Sequence, residues 1–198
     1  MSVQGTASRA PTFGLRSEGP EAELIARVSE HDLPAFEELY RIYQPRLIRF
    51  LTNLVRRTEV AEEVLDDTMM VVWETAGSFR RTSKLSTWIF AIAYRKALRA
   101  RERWPEPPED DARDSRVDPH PGPDQQLRQS RLHDALVAAM DSLSADHRAV
   151  VDLTYFHDMG YREIAEIMHC PVDTVKTRMF HARRRLKEAM PASMNDWL

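Results

Sequence analysis

Apolar positions in this chain recur at spacings of three and four, the period of a helix that buries one face. The pattern is sharpest between Tyr161 and Met190. Ile164, Ala165, Ile167 and Met168 share one helical face behind Gly160, and Val172, Val175, Met179, Ala182 and Leu186 form a second stripe after a corner at Cys170. Pro171 suits the first turn of the second helix, and Asp173 complements its dipole. That helix turns Thr174, Lys176, Thr177, Arg178, His181, Arg184 and Arg185 outward. Two helices joined by a tight corner, the second cationic on its exposed N-terminal turns, predict a helix-turn-helix that lays a recognition helix in the DNA major groove.

Upstream, the same period predicts further helices. Glu21 to Val28 reads as a short amphipathic helix, and Asp32 caps a helix that turns Phe36, Leu39, Tyr40, Ile42 and Tyr43 inward. Pro45 is expected to interrupt that helix, with a second packed segment resuming at Leu47, Phe50, Leu51 and Leu54. Thr58 is expected to cap the helix Thr58 to Ala76, and Gly77 to stop it. Its inward stripe is Ala61, Val64, Leu65, Thr68, Met69, Val72 and Ala76. Its other side carries acids around Asp66 and Asp67, beside Met70 and Trp73, an aromatic anchor rimmed by charge that suits a protein interface as well as it suits plain solvation. After a loop with Phe79, Arg80, Arg81 and Lys84, Ser86 or Thr87 is expected to cap a helix with Trp88, Ile89, Ile92, Ala93 and Leu98 inward. Further on, Leu127, Leu132, Leu136 and Met140 fall in register, and Ser144 caps a helix with Val150, Val151, Leu153 and Tyr155, completing a four-helix C-terminal unit.

Charge sharpens this outline. Residues 171–190 carry Lys176, Arg178, Arg183, Arg184, Arg185 and Lys187 against Asp173 and Glu188, a net +4 in a chain whose formal charge is −3. Arginines at a helix C-terminus are also what the macrodipole favours, so Arg183, Arg184, Arg185 and Lys187 alone say little. Lys176 and Arg178 lie at the N-terminal end, where the dipole disfavours cations, and are better explained by an external anion. A second block, Arg95, Lys96, Arg99, Arg101 and Arg103 against Glu102, follows Tyr94 on the Ser86–Arg103 helix. Aromatics interleaved with cations suit single-stranded nucleic acid, although core aromatics beside solvated arginines give the same pattern.

Between the blocks the composition changes. Six of the 12 prolines fall in residues 104–125, where Glu106, Glu109, Asp110, Asp111, Asp114 and Asp118 outnumber Arg113 and Arg116. No helix persists through such proline density, so an extended acidic linker is expected. The expected organisation is all-α: a disordered tail at 1–20, a helical domain at 21–103, a linker at 104–125, a helix-turn-helix domain at 126–190 and a tail at 191–198. With 198 residues, 42% hydrophobic and 30% charged, the composition is that of a globular protein. No apolar stretch reaches the length of a membrane span and no secretory core is visible at the N-terminus, so a cytoplasmic location is expected. The single cysteine, Cys170, excludes an internal disulfide and multi-cysteine zinc sites. Its expected role is packing at the corner. His157-Asp158 invites a metal-hydrolase reading, but His31, His120, His133, His147, His169 and His181 show no ligand spacing, and no metal or cofactor is expected.

In this order and across a linker, VVWETAGSF, STWIFAIAYRKALRARER, YREIAEIMH and TVKTRMFHARRRL resemble the sigma factors of the extracytoplasmic-function (ECF) class, small two-domain promoter-specificity subunits of bacterial RNA polymerase. The resemblance spans residues 21–103 and 126–190. It implies that Asp66, Asp67, Met70 and Trp73 contact core polymerase. It also implies that the loop and helix bearing Arg80, Lys84, Trp88, Tyr94, Arg95, Lys96 and Arg99 melt the −10 promoter element and hold an extruded base. Thr174, Lys176, Thr177, Arg178 and His181 would read the −35 element, with Arg184 on phosphate, and the acidic linker would thread the polymerase channel. The implied partners are core RNA polymerase, promoter DNA and an anti-sigma factor. Asp66-Asp67 stands where the family commonly has Gln-Glu, which keeps acidity. Arg95 stands where it commonly has Asn, which implies an altered −10 preference. The competing class is a stand-alone helix-turn-helix regulator whose N-terminal domain senses or dimerises.

Overall fold

The stripe on residues 33–55 organises the front half of the molecule. The computed structural model describes residues 19–104 and 137–189, and among these every regular element is helical. The elements are α1 (Pro20–Ser29), α2 (Leu33–Val55), α3 (Thr58–Thr75), a 3-10 turn (Ala76–Ser78), α4 (Leu85–Arg103), α5 (Ala145–Tyr155), α6 (Tyr161–Met168) and α7 (Val172–Ala189), with residues 137–141 also helical. The expected tail at 1–20 apart from its last two residues, the linker after Trp104, the helix expected from Gln126 up to residue 136 and the tail 191–198 lie outside the described residues.

Helix α2 starts as the sequence predicts. The Asp32 carboxylate accepts from the Ala35 N–H at 3.3 Å, and the Arg27 guanidinium beside it holds this carboxyl below the usual range. Pro45 does not split the helix: α2 is one continuous element of 23 residues with the proline inside it. The reason is a balance of magnitudes. An interior proline costs about 3 kcal/mol, whereas full burial of one large apolar side chain contributes about 1.5–3 kcal/mol. Leu39, Tyr43, Leu47, Phe50, Leu51 and Leu54 are all essentially inaccessible on one face, while Pro45 sits on the exposed face. Ile42, expected inside, is 38% exposed because it falls off that stripe.

The stripe of α3 is buried at every expected position from Ala61 to Ala76. Its ends differ from expectation. Thr58 is the first helical residue, behind an Arg57 N-cap that makes no side-chain cap, and beyond Thr75 the chain tightens into the 3-10 turn through Gly77 rather than stopping there. Likewise α4 begins at Leu85 behind Lys84, so neither Ser86 nor Thr87 caps it. Thr87 is buried and its hydroxyl turns to Glu163 of another helix at 3.4 Å. Ser144 does cap α5, accepting from His147 N–H at 3.4 Å, whereas Tyr155 at the other end is 46% exposed.

In the rear half, Ile164, Ala165, Ile167 and Met168 of α6 are buried as expected, and so are Val175, Met179, Ala182 and Leu186 of α7, with Val172 half-buried. His169 closes α6 in the left-handed region at φ 50°, and the Cys170 N–H returns to Ala165 O at 3.0 Å, which makes the corner. The two halves share one connected core: α5 packs on α2, and α6 packs on α4.

Restoring an N–H with Pro45→Ala is expected to stabilise the fold by up to about 3 kcal/mol, read as a higher denaturant midpoint. An unchanged or lower midpoint would contradict the balance drawn for α2.

Candidate nucleic-acid interface and docking face

The outer face of α7 is a consequence of its buried one. With Val175, Met179, Ala182 and Leu186 inward, Lys176, Thr177, Phe180, His181 and Arg184 are forced out, and all five are exposed. Lys176 pairs with Asp173 at 2.9 Å and Arg184 with Glu188 at 3.6 Å, both exposed pairs that an external phosphate competes with easily. The Thr177 hydroxyl donates to the Asp173 carbonyl at 2.9 Å. Thr174 is half-buried. Arg178 leans inward: it pairs with Asp146 at 2.5 Å and donates to the Cys170 sulfur at 3.7 Å. Arg183 and Arg185 are held by their own half of the molecule, through Tyr155 Oη and Ser142 O at 3.0 Å each. His181 lies 5.5 Å from the Phe180 ring and 6.3 Å from the His147 ring. Burial and the neighbouring His181 push the His147 imidazole down from its ordinary value.

The cationic set on and before α4 divides. Arg80, Arg95 and Arg99 are exposed, and Trp88 packs half-buried against Phe79 at 5.3 Å between ring centres. Lys96 crosses to α3 and pairs with Asp67 at 2.9 Å. Lys84 and Tyr94 face the rear half, with Lys84 on Glu163 at 2.9 Å and the buried Tyr94 donating to Asp146 at 2.9 Å. Burial and the Asp146 charge push the Tyr94 phenol well above its usual range.

The acidic side of α3 forms a surface of its own. Met70 is 52% exposed, and Asp66 accepts from Tyr40 Oη at 3.0 Å. Trp73 is half-buried between Phe36 at 5.0 Å and His31 at 5.3 Å. A shallow groove lined by Leu33, Phe36, Glu37, Tyr40, Arg41 and Gln44 runs beside it on α2. Sequence reasoning missed this α2 contribution, because Phe36 and Tyr40 share the helical period of core positions and nothing local distinguishes a rim from a core. The exposed Phe180 carried a signal that was available, an apolar residue lying off the buried stripe.

A helical chain that presents an exposed cationic recognition helix on α7 and an acidic, aromatic-anchored face on α3 has the construction of a helix-turn-helix transcription factor with a protein-docking module. Residues 39–104 match Sigma-70 region 2, and residues 133–186 match Sigma-70, region 4. The chain is 31% identical over 182 residues to the ECF RNA polymerase sigma-E factor of Haemophilus influenzae, covering 86% of this chain and 95% of that one. It is 27% identical over 188 residues to the RNA polymerase sigma-H factor of Pseudomonas aeruginosa, covering 89% and 96%. Its fold superposes on the sigma factor RpoE of Bartonella quintana, solved in complex with the anti-sigma factor NepR, with a TM-score of 0.56, 29% identity and coverage of 78% of this chain and 95% of that one. The chain belongs to the ECF sigma factors of the sigma-70 family, which are initiation factors and not enzymes.

The geometry separates two kinds of residue on the acidic face. Met70→Ala and Asp67→Ala are expected to shift stability by no more than about 0.5 kcal/mol. Trp73→Ala, which strips an aromatic partner from both Phe36 and His31, is expected to lower it by more than about 1 kcal/mol. Denaturant titration of the three variants checks this, and equal losses would refute the separation.

Proposed function

We propose that the chain binds core RNA polymerase and directs it to specific promoters, with labour divided between two modules at 21–103 and 126–190. Family membership supports the promoter-directing role. The observation that carries the division is the exposed row Lys176, Thr177, His181 and Arg184, which a helix with a fully buried opposite stripe holds ready for a groove. In this reading Thr174, Lys176, Thr177, Arg178 and His181 read the −35 element and Arg184 meets phosphate. Arg80, Lys84, Trp88, Tyr94, Arg95, Lys96 and Arg99 serve −10 opening, and Asp66, Asp67, Met70 and Trp73 dock on the polymerase. An inhibitory protein of the anti-sigma kind is the third partner, and the cytoplasm, where polymerase and promoters meet, is the proposed location. No helix among the described residues is long and apolar enough to cross a membrane.

Promoter-specific transcripts from core RNA polymerase on addition of the purified chain are the expected result. A chain that binds duplex DNA alone and never associates with core enzyme would instead be a stand-alone regulator. Asp66→Arg is expected to weaken polymerase association while sparing promoter binding by the C-terminal module, and unchanged affinity for core enzyme would remove that docking assignment. Arg178→Ala is expected to cost about 1–3 kcal/mol at one base position. Arg184→Ala should weaken binding to all sequences and reduce its salt dependence. Equal loss of sequence preference in both variants would refute the division of roles on α7.

A further inference from the structure

Helix α5 packs on α7, and its first turn brings the half-buried His147 beside the exposed row of the recognition helix. The His147 ring lies 6.3 Å from the His181 ring, with the two planes tilted by 33°. Neither residue belongs to the buried stripe of its helix. The His147 backbone N–H is given to the Ser144 cap at 3.4 Å, a bond that any side chain at this position would allow. The charged groups around the pair are mostly positive. Asp146 lies on α5 itself, and both its oxygens are in use, on Tyr94 Oη of α4 at 2.9 Å and on Arg178 at 2.5 Å. Arg178, Arg184 and Arg185 are the neighbours of His181 at spacings of three and four on α7. Arg185 also donates to the Ser142 carbonyl just before α5 at 3.0 Å, and Arg184 pairs with the exposed Glu188 at 3.6 Å. Two imidazoles and three guanidiniums thus gather against two carboxylates.

Packing alone gives no reason to set an imidazole among guanidiniums, whereas a phosphate accepts from all of them. We propose that His147 is a further DNA contact, extending the −35 face from α7 onto α5 and meeting the promoter phosphate beside the position that His181 reads. The inference rests on the promoter-directing reading, with α7 as the −35 helix. His147 supplies a backbone contact that fixes register, while the sequence itself is read from α7. The contact also carries a proton. Burial and His181 push the His147 imidazole below its ordinary value in the free chain, with Arg178 and Arg185 acting the same way against Asp146. A phosphate at the ring reverses that field and favours the imidazolium, so the complex holds more protons than the free chain. Affinity therefore rises as pH falls from about 8 to about 6.

The test uses holoenzyme assembled from core RNA polymerase and the full-length chain. Its affinity for a fluorescent promoter duplex, taken from a start site mapped by the transcription experiment above, is read by anisotropy at low salt, at about pH 6 and about pH 8. Wild type is compared with His147→Gln, which is neutral and can still donate, and with His147→Arg, whose charge is fixed. From the higher pH to the lower, wild type is expected to gain about three- to tenfold more affinity than His147→Gln, which is about 0.6–1.4 kcal/mol. At the higher pH His147→Arg is expected to bind about three- to tenfold tighter than His147→Gln, and to change with pH no more than that variant does. A purely structural role would not move these readouts, since damage to the first turn of α5 weakens both variants alike. Equal pH dependence in wild type and His147→Gln, or a His147→Arg variant no tighter than His147→Gln at the higher pH, overturns the phosphate contact. Failure of wild-type chain and core polymerase to yield promoter-specific transcripts would instead overturn the reading beneath it, so the two failures are distinct.

Discussion

Helix α4 has to bury more than one face at once, and the molecule is arranged around that demand. Leu85, Thr87, Ile89, Phe90, Ala91, Ile92, Ala93, Tyr94 and Ala97 are all buried, which no single neighbour achieves. Helices α2 and α3 take one side and α6 takes another. A helix packed on several sides has little amphipathic contrast. This is why its sequence mixes apolar and polar residues without a clean stripe, and why Thr87 and Tyr94 sit among the apolar positions with their hydroxyls committed to Glu163 and Asp146.

The junction between the halves combines apolar contact with polar selection. Ion pairs as exposed as Lys84 with Glu163 contribute about 0–1 kcal/mol each, so the apolar packing of α5 on α2 and of α6 on α4 within the shared core dominates cohesion. The polar contacts fix which faces meet. Asp152 is the most demanding of them: its side chain is almost wholly inaccessible, lies 2.9 Å from His157 Nε2 and accepts from the Asn53 amide of α2. A buried carboxylate is tolerable only with such partners around it, and loss of one leaves an uncompensated charge. Apolar adhesion supplies the cohesion of this contact, and the polar groups supply its registration.

The recognition face follows a simpler logic. Four buried residues on α7 leave much of its circumference to solvent, and Lys176 and Arg184 there pair with Asp173 and Glu188, partners that are within a turn and exposed. Arg178, Arg183 and Arg185 instead reach distant partners, Arg178 because its position between the buried stripe and the open face brings it to Asp146.

Local pattern determined much of this protein. The stripes of α3, α6 and α7, the Asp32 and Ser144 caps and the corner at Cys170 were legible because each depends on residues within a turn or two of one another, where helical period and capping chemistry act. Helix ends without side-chain caps were not, at Thr58 and Ser86, because the backbone geometry there is set by what the next helix packs against. Pro45 was misjudged for the related reason that a local penalty of one residue yields to burial summed along 23. The pairing of the halves was invisible: Asn53 and Asp152 are 99 positions apart, Tyr94 and Asp146 52, and Thr87 and Glu163 76. The sequence by itself determined which helices form and which faces they bury. Which cations stay free for DNA was decided only by the tertiary structure, because a side chain's partner is chosen by proximity in space and one-dimensional order does not encode it.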